Sequence, residues 1–243
     1  MKKTFSTLFF LSLMISVNAQ QMKPEETEDW SKQPAIVRAG APGQPPSDAI
    51  VLYRGPQDAV NWVHNNLESI RWRADSALTA VKGAGEIRTV KSFGDCQLHV
   101  EWRSPSEVSG TGQGRGNSGI FLMGVYELQV LDSYDNETYY NGQAGSIYKQ
   151  FIPLVNASKK PGEWQSYDVI FMAPRFNPEG KVLSPAYFTV FHNGVLIQNH
   201  VGLRGPTEYI GIPVYKAHAD KLPISLQDHG NPVSFRNIWI REL

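Results

Sequence analysis

Cysteine is almost absent: Cys96 is the only one in 243 residues, so no intramolecular disulfide can form and stability has to come from packing. A domain of this length can bury a core large enough for that. A thiol-dependent reaction would require Cys96 to be accessible and activated, whereas a buried structural cysteine is the commoner fate of such a residue. Long apolar runs are missing too. Beyond the first residues, no stretch approaches the roughly 20 apolar residues of a membrane-spanning helix. Helical periodicity is scarce, no convincing repeat is present, and no histidine pair has the short fixed spacing of a zinc site. No metal and no cofactor is therefore expected, although a calcium ion held by loop oxygens stays open.

Excess charge of either sign is also lacking, with 23 basic and 23 acidic residues. The chain begins with Lys2 and Lys3, an apolar run from Thr4 to Val17, and Val17-Asn18-Ala19 as a small-residue cleavage site. This is the pattern of a secretory signal, expected over residues 1–19, and it directs the protein to the periplasm or beyond. Without the leader the formal charge becomes −2. Such a surface has no reason to seek nucleic acid. Residues 20–48 carry Pro, Gly, Glu and Lys with few large apolar groups and read as a spacer or an arm along the domain.

What the chain does have is short strands between turn residues. Gln97 to Arg103 alternates Leu98, Val100 and Trp102 with Gln97, His99, Glu101 and Arg103. Ile224 and Leu226 oppose Ser225, Gln227 and His229 in the same manner. Ala186–Phe191 and Val195–Gln198 flank His192-Asn193-Gly194, a hairpin signal whose turn needs positive φ at Asn-Gly. Further strands are predicted at residues 49–53, 72–77, 78–82, 118–122, 166–173 and 233–241. Short helical stretches are predicted only at residues 56–63 and around 146–155. Such a pattern predicts an all-β fold, two antiparallel sheets packed as a jelly-roll sandwich over residues 49–243.

The most informative segment runs from Gly116 to Ser133. With a period of two, Tyr126, Leu128 and Val130 face one way, while Glu127, Gln129 and Leu131 face the other. A carboxyl two residues from a carboxamide on an otherwise apolar strand suits a sugar-binding groove. Glu127 can act as base or acid, and His229 can exchange a proton near neutral pH. Gln129, Asn117 and Gln227 can donate hydrogen bonds to an oxyanion or to sugar hydroxyls. Each has a plainer alternative: Glu127 paired with Arg103 or Arg88, His229 bonded to a turn, Asn117-Ser118-Gly119 merely feeding a strand. Asp132 is expected to cap or turn the chain.

Glu101 and Arg103 join the groove if their strand runs beside that of Glu127; otherwise they form a solvated face. His192 and His200 flank a hairpin and are expected to be exposed, and His218 could rim the groove. Among the aromatics, Tyr148 is the preferred sugar contact. Trp62, Trp72, Trp102, Trp164 and Tyr209 include further candidates for stacking, set against the tendency of Trp to fill sandwich cores.

Several motifs in order carry a resemblance to one family: Gly116-Asn-Ser-Gly-Ile-Phe121, Tyr126-Glu-Leu-Gln-Val-Leu-Asp-Ser133, Gly162-Glu-Trp-Gln-Ser-Tyr-Asp168, Phe191-His-Asn-Gly194, and Gln227-Asp-His-Gly-Asn-Pro232 with Phe235-Arg-Asn-Ile-Trp-Ile240. From about Ala49 to Leu243 the chain resembles the 3-keto-disaccharide hydrolase domain family. The resemblance implies a concanavalin A-like (lectin/glucanase) jelly roll, secreted by glycan-degrading bacteria and acting on sugars oxidised at C3; members include lyases or hydratases as well as hydrolases. Fold alone does not fix activity, because the same architecture hosts lectins and glucanases. Three readings follow. The favoured one is an exported, glycoside hydrolase-like enzyme that cleaves 3-keto-glycosides, with a carbohydrate substrate. The alternatives are a non-catalytic glycan-binding module and an ordinary glucanase, which needs a second acid about 5–9.5 Å from Glu127.

Overall fold

The computed structural model describes residues Met22–Leu243. The expected leader, residues 1–19, lies outside the described residues. The chain divides into two compact units at Ile36/Val37. In the first, the described residues 22–36 are all exposed and contain one short 3-10 turn, Pro24–Thr27.

The second unit holds the strands. In chain order they are β1 (Ile50–Tyr53), β2 (Trp62–His64), β3 (Arg73–Ala74), β4 (Leu78–Thr79), β5 (Ile87–Phe93), β6 (Cys96–Arg103), β7 (Ser118–Leu122) and β8 (Tyr126–Val130). After them come β9 (Gln165–Met172), β10 (Arg175–Phe176), β11 (Val182–Ser184), β12 (Tyr187–His192), β13 (Val195–Gly202), β14 (Leu222–Leu226) and β15 (Ser234–Glu242). A larger sheet runs β13-β12-β9-β6-β15-β4-β3, with β1 also paired to β15, and a smaller one runs β2-β5-β14-β7-β8. Every pairing is antiparallel.

The two sheets close on one apolar core, giving the expected all-β sandwich of jelly-roll type. Leu98, Val100 and Trp102 from β6 and Tyr167, Val169 and Phe171 from β9 meet Tyr126, Leu128 and Val130 from β8, all essentially inaccessible to water. Each fully buried large apolar side chain contributes about 1.5–3 kcal/mol relative to exposure, so this face fixes the register of β8. The Tyr167 hydroxyl crosses the sandwich to donate to the Gln129 carbonyl at 2.9 Å. Cys96 is buried in the same core, and burial pushes its thiol up to about 12, which leaves it inert.

Most strand expectations agree with the structure within a residue or two, including the hairpin between β12 and β13, where Asn193 and Gly194 adopt φ of +52° and +78°. Four differ. The segment 146–155 is not helical; it turns back along the edge of β8. Strands predicted over residues 72–77 and 78–82 shrink to the two-residue pieces β3 and β4. β5 carries no clean alternation in sequence yet spans seven residues between β2 and β14. Finally, β6 belongs to the larger sheet, between β9 and β15, and not beside β8.

Candidate active site

Register carries Glu127 onto the outer face of the smaller sheet. Across that sheet Val63, Arg88, Ser225, Phe121 and Glu127 lie opposite one another in turn, and the adjacent row, Ile87, Leu226, Ile120 and Leu128, faces the core. β8 is the last strand of its sheet, but its free edge is covered. The Glu127 amide donates to Thr207 Oγ1 at 3.0 Å, and the amide of Gln129 donates to the Ser146 carbonyl at 3.0 Å. These covering segments roof the outward side chains, and Glu127 is only 4% exposed. Burial, with a smaller contribution from the charge of Glu86, pushes its carboxyl up to about 8. Gly119, opposite Gln129 on β7, makes room for that carboxyl: a Cβ there would lie 2.7 Å from Glu127 Oε1.

Neither alternative pairing of Glu127 forms among the described residues. Arg88 stands three strands away in the same row, roughly 14 Å by inter-strand spacing, and Arg103 lies on the other sheet.

Carboxamides gather around the acid. Gln129 Nε2 donates to Gln113 Oε1 at 3.2 Å and to Asn117 Oδ1 at 3.4 Å, and Asn117 Nδ2 donates to the Gln113 carbonyl at 2.7 Å. Gln113 is in turn held through its own Nε2 by Thr138 Oγ1 and the Gly142 carbonyl. The Asn117 amide is tied to Asn231 Oδ1 at 2.8 Å, so the loop after β14 grips the start of β7. Gln227 is fixed by its backbone, donating to the Gly119 carbonyl and accepting from Ser118 Oγ. Its buried side-chain Oε1 has no hydrogen-bond partner among the described residues.

Glu127, Gln129, Asn117, Gln227, Tyr148 and His229 all line one cavity of about 520 Å³, together with Gln113, Phe121, Tyr139, Thr207 and Tyr209. Among the described residues, Glu127 carries the only carboxyl in that lining. In the turn after β14, it is Asp228 that bonds the backbone, accepting from the amides of Gly85 and Gly230. His229 is thereby presented at the cavity edge, exposed, with no hydrogen bond to another described residue. Tyr148 and Tyr139 share a hydroxyl–hydroxyl bond of 2.7 Å. Lys149 binds the Tyr209 carbonyl at 2.7 Å and sits 4.2 Å from the centre of that ring. Burial raises the Tyr148 hydroxyl well above the usual phenol range, so it remains a donor at neutral pH.

Glu101 and Arg103 are not in this cavity. Their strand faces outward on the opposite side of the sandwich, because the apolar half of β6 takes the core and its polar half must face away from it. There Glu101 accepts from Arg236 Nε at 2.6 Å and Asn237 Nδ2 at 2.9 Å, and Arg103 packs 4.6 Å from the Trp164 ring centre. Trp62, Trp72 and Trp102 fill the core. His192, expected at the surface, is buried against Trp102 and Tyr167 and bonded to Gln165 Oε1 at 2.9 Å, and burial lowers it to about 4. Period two on β12 places it with Phe188 and Val190, a signal that the hairpin reading hid. His218 bonds the Tyr126 hydroxyl at 2.7 Å and does not line the cavity. Asp132 takes the expected turn role, accepting from the Tyr134 amide while pairing with Arg115 at 2.7 Å.

Sequence reasoning missed Gln113, Phe121, Tyr139 and Thr207. The first lies in the glycine-rich stretch Gly110-Thr-Gly-Gln-Gly114, a hint of close backbone approach; Thr207 has no sequence signal. Among the described residues no group of three or more His, Cys, Asp or Glu side chains is placed to hold a metal ion.

The outward set on β8, Asn117 and the Gln227–Asn231 loop fall in the segments that carried the resemblance, and Gln113 lies just before the first of them. The family described as 3-keto-alpha-glucoside-1,2-lyase-like domain matches residues 48–241. A Parabacteroides distasonis protein of solved structure, named a putative glycosyl hydrolase, is 48% identical, with a TM-score of 0.87 over 91% of this chain and 97% of that one. Two further P. distasonis structures with the same name are 19% and 20% identical, with TM-scores of 0.57 and 0.52. They cover 81% and 80% of this chain and 94% and 99% of their own, and at that identity they speak to fold alone. No curated protein matches. With the match spanning both sheets and every segment that lines the cavity, the chain belongs to the 3-keto-alpha-glucoside-1,2-lyase-like domain family.

Proposed function

We propose that this protein cleaves the bond between C1 and its glycosidic oxygen in sugars that carry a ketone at C3. Family membership and the glycosyl hydrolase relatives support the coarser statement, a carbohydrate-active, glycoside-hydrolase-like protein. One observation carries the finer one: the cavity holds a single carboxyl, raised to about 8 and surrounded by carboxamides. An ordinary glycosidase positions two carboxyls across the scissile bond. A 3-keto sugar needs something different, since its ketone acidifies the hydrogen on C2.

The steps follow from that acidity. Glu127 in its ionised form takes the C2 proton, and the electron pair moves onto the C3 oxygen as an enolate. Amide N–H groups of Gln129, Asn117 or Gln227 donate to that oxygen. The enolate then collapses, C1–C2 becomes a double bond, the C1–O bond breaks, and the departing oxygen takes a proton from His229 or the Tyr148 hydroxyl. The product is an enone. Addition of water at C1 gives the free 3-keto sugar and completes a net hydrolysis; without that step the reaction is a lyase reaction. A raised carboxyl suits this chemistry because a base whose pKa approaches that of the medium removes a carbon-bound proton more effectively.

The leader pattern at residues 1–19 supports activity in the periplasm or outside the cell. Mass spectrometry of the protein recovered from its host, beginning at Gln20, would test that. The activity is tested by following enone absorbance and reducing sugar from 3-keto-glucosides with wild type and Glu127→Gln. Wild type should turn over and the variant should lose about 10²–10⁴ in kcat with binding retained. Binding without turnover in both proteins would leave a glycan-binding module, the reading that the tyrosine-rimmed mouth otherwise favours.

A further inference from the structure

Arg103, which takes no part in the cavity around Glu127, ends a polar row on the larger sheet. Across β3, β4, β15 and β6 the residues Arg73, Thr79, Ser234 and Arg103 lie opposite one another in turn. The adjacent row, Ala74, Leu78, Phe235 and Trp102, packs on the core, so the first row faces outward. Its order is cation, hydroxyl, hydroxyl, cation. All four line a second cavity of about 740 Å³, with Lys82, Ser104 and Glu107. The turn after β14 stands between the two cavities, for His229 lines the first while Gly230 and Pro232 line the second.

The polar groups of this cavity are nearly all donors. Arg103 packs 4.6 Å from the Trp164 ring centre, and its guanidinium makes no hydrogen bond or ion pair with another described residue. Lys82, exposed beside Gly230, is likewise unpaired among the described residues. Thr79 Oγ1 and Ser234 Oγ are 2.9 Å apart, and Thr79 Oγ1 also accepts from Arg73 Nη2 at 3.3 Å. The pair carries two hydroxyl hydrogens and shares one bond, so whichever residue donates, one O–H remains able to donate to a ligand. Ser104, only 1% exposed, adds a hydroxyl whose Oγ is buried with no hydrogen-bond partner among the described residues. On the acidic side the lining offers only Glu107, which is exposed, and Asp75 pairs with Arg73 at 3.2 Å.

We infer that this cavity binds an acidic sugar, one that carries a carboxylate or sulfate group, at a site separate from the Glu127 cavity. A guanidinium held against an indole ring, an ammonium and two hydroxyl donors are complementary to an oxyanion, and a neutral sugar would leave both cations without a counter-charge. Size separates a sugar from a bare ion. A water molecule takes about 30 Å³ of liquid volume, and an inorganic anion only a few times that. A pyranose ring would fill more of the space and cover Val81, Pro105 and Pro232, the apolar part of the lining, with its C–H groups.

Calorimetry on the whole protein with methyl glucoside, methyl glucuronide, glucose 6-sulfate and inorganic sulfate tests this. Wild type should bind one or both acidic sugars at least about tenfold more tightly than methyl glucoside or inorganic sulfate, as charge-assisted hydrogen bonds allow. That preference should shrink as salt is raised. Arg103→Gln and Lys82→Gln should each lose most of it, and Glu127→Gln should keep it. Lys82→Gln, altered at an exposed position, decides the point alone should Arg103→Gln prove unfolded by circular dichroism. Equal affinity for acidic and neutral sugars, or a preference untouched in the folded variants, would overturn the inference. So would loss of the preference in Glu127→Gln, which would place the acidic sugar in the first cavity. Inorganic sulfate binding as tightly as glucose 6-sulfate would overturn it too, since the site would then be one for a free anion.

Discussion

Burial makes Glu127 an uncharged group at neutral pH. With its carboxyl near 8, about a tenth is ionised at pH 7. If the ionised form removes the C2 proton, kcat/KM should climb about tenfold per pH unit below 8 and level off above it. A pH–rate profile measured on wild type and on Glu127→Gln checks this, and the rise should be absent from whatever activity the variant keeps. Gln227, in the same lining, has a buried side-chain oxygen with no hydrogen-bond partner among the described residues. The alternative pairing of Glu127 with Arg88 fails for a reason that residue type could not reveal: same face, same row, but three strands apart.

Two strands divide the work at the next scale. β8 supplies acid and amide, and β7 supplies the space for them, with Gly119 beneath the carboxyl. Gly119→Ala would press a methyl group against Glu127 Oε1 and Phe121 Cε2 at under 3 Å, and the carboxyl, being the flexible partner, would move. The expected outcome is a fall in kcat of at least about tenfold, because displacement of a reacting group by about 1 Å is costly. Circular dichroism should show the fold retained; full activity in a folded variant would contradict the assigned position of the acid. The alternation of β8 was legible because its apolar half is pure. That of β6 was equally clear and still misplaced Glu101 and Arg103, since a strand's sequence states which half seeks the core but not in which of two sheets it lies. His192 shows the reverse, a polar residue at a hairpin end that the strand period carries into the core.

Over the molecule as a whole, two buried titratable groups pull stability in opposite directions with pH. The Glu127 carboxyl is raised in the fold, so its contribution is complete below about 4.5, where unfolded glutamate is still protonated, and is lost as pH rises towards about 8. The His192 imidazole is lowered, so its contribution is complete above about 6.5 and is lost as pH falls towards about 4. Glu127→Gln should therefore raise the thermal midpoint at pH 8.5 while changing it little at pH 4.5, with a gain of about 5 kcal/mol as the upper bound. His192→Gln should flatten the decline between pH 6.5 and 4.5, whatever its effect on the midpoint at pH 7. Thermal melts across pH 4–9 on the three proteins decide both points.

The sequence by itself determined that the chain is an all-β sandwich, that β8 turns an acid and an amide away from its apolar half, and that the Asn193-Gly194 turn closes a hairpin. Each of these follows from local physics, a period of two or a turn that tolerates positive φ. Tertiary structure alone decided which strands share a sheet, how the loops cover the edge of β8, and that segments distant in sequence, around Gln113, Tyr148, Thr207 and His229, meet over one carboxyl. Those contacts depend on how the chain crosses itself, and the raised carboxyl of Glu127 depends on them in turn, because burial is a property of the assembled fold and not of the strand that carries it.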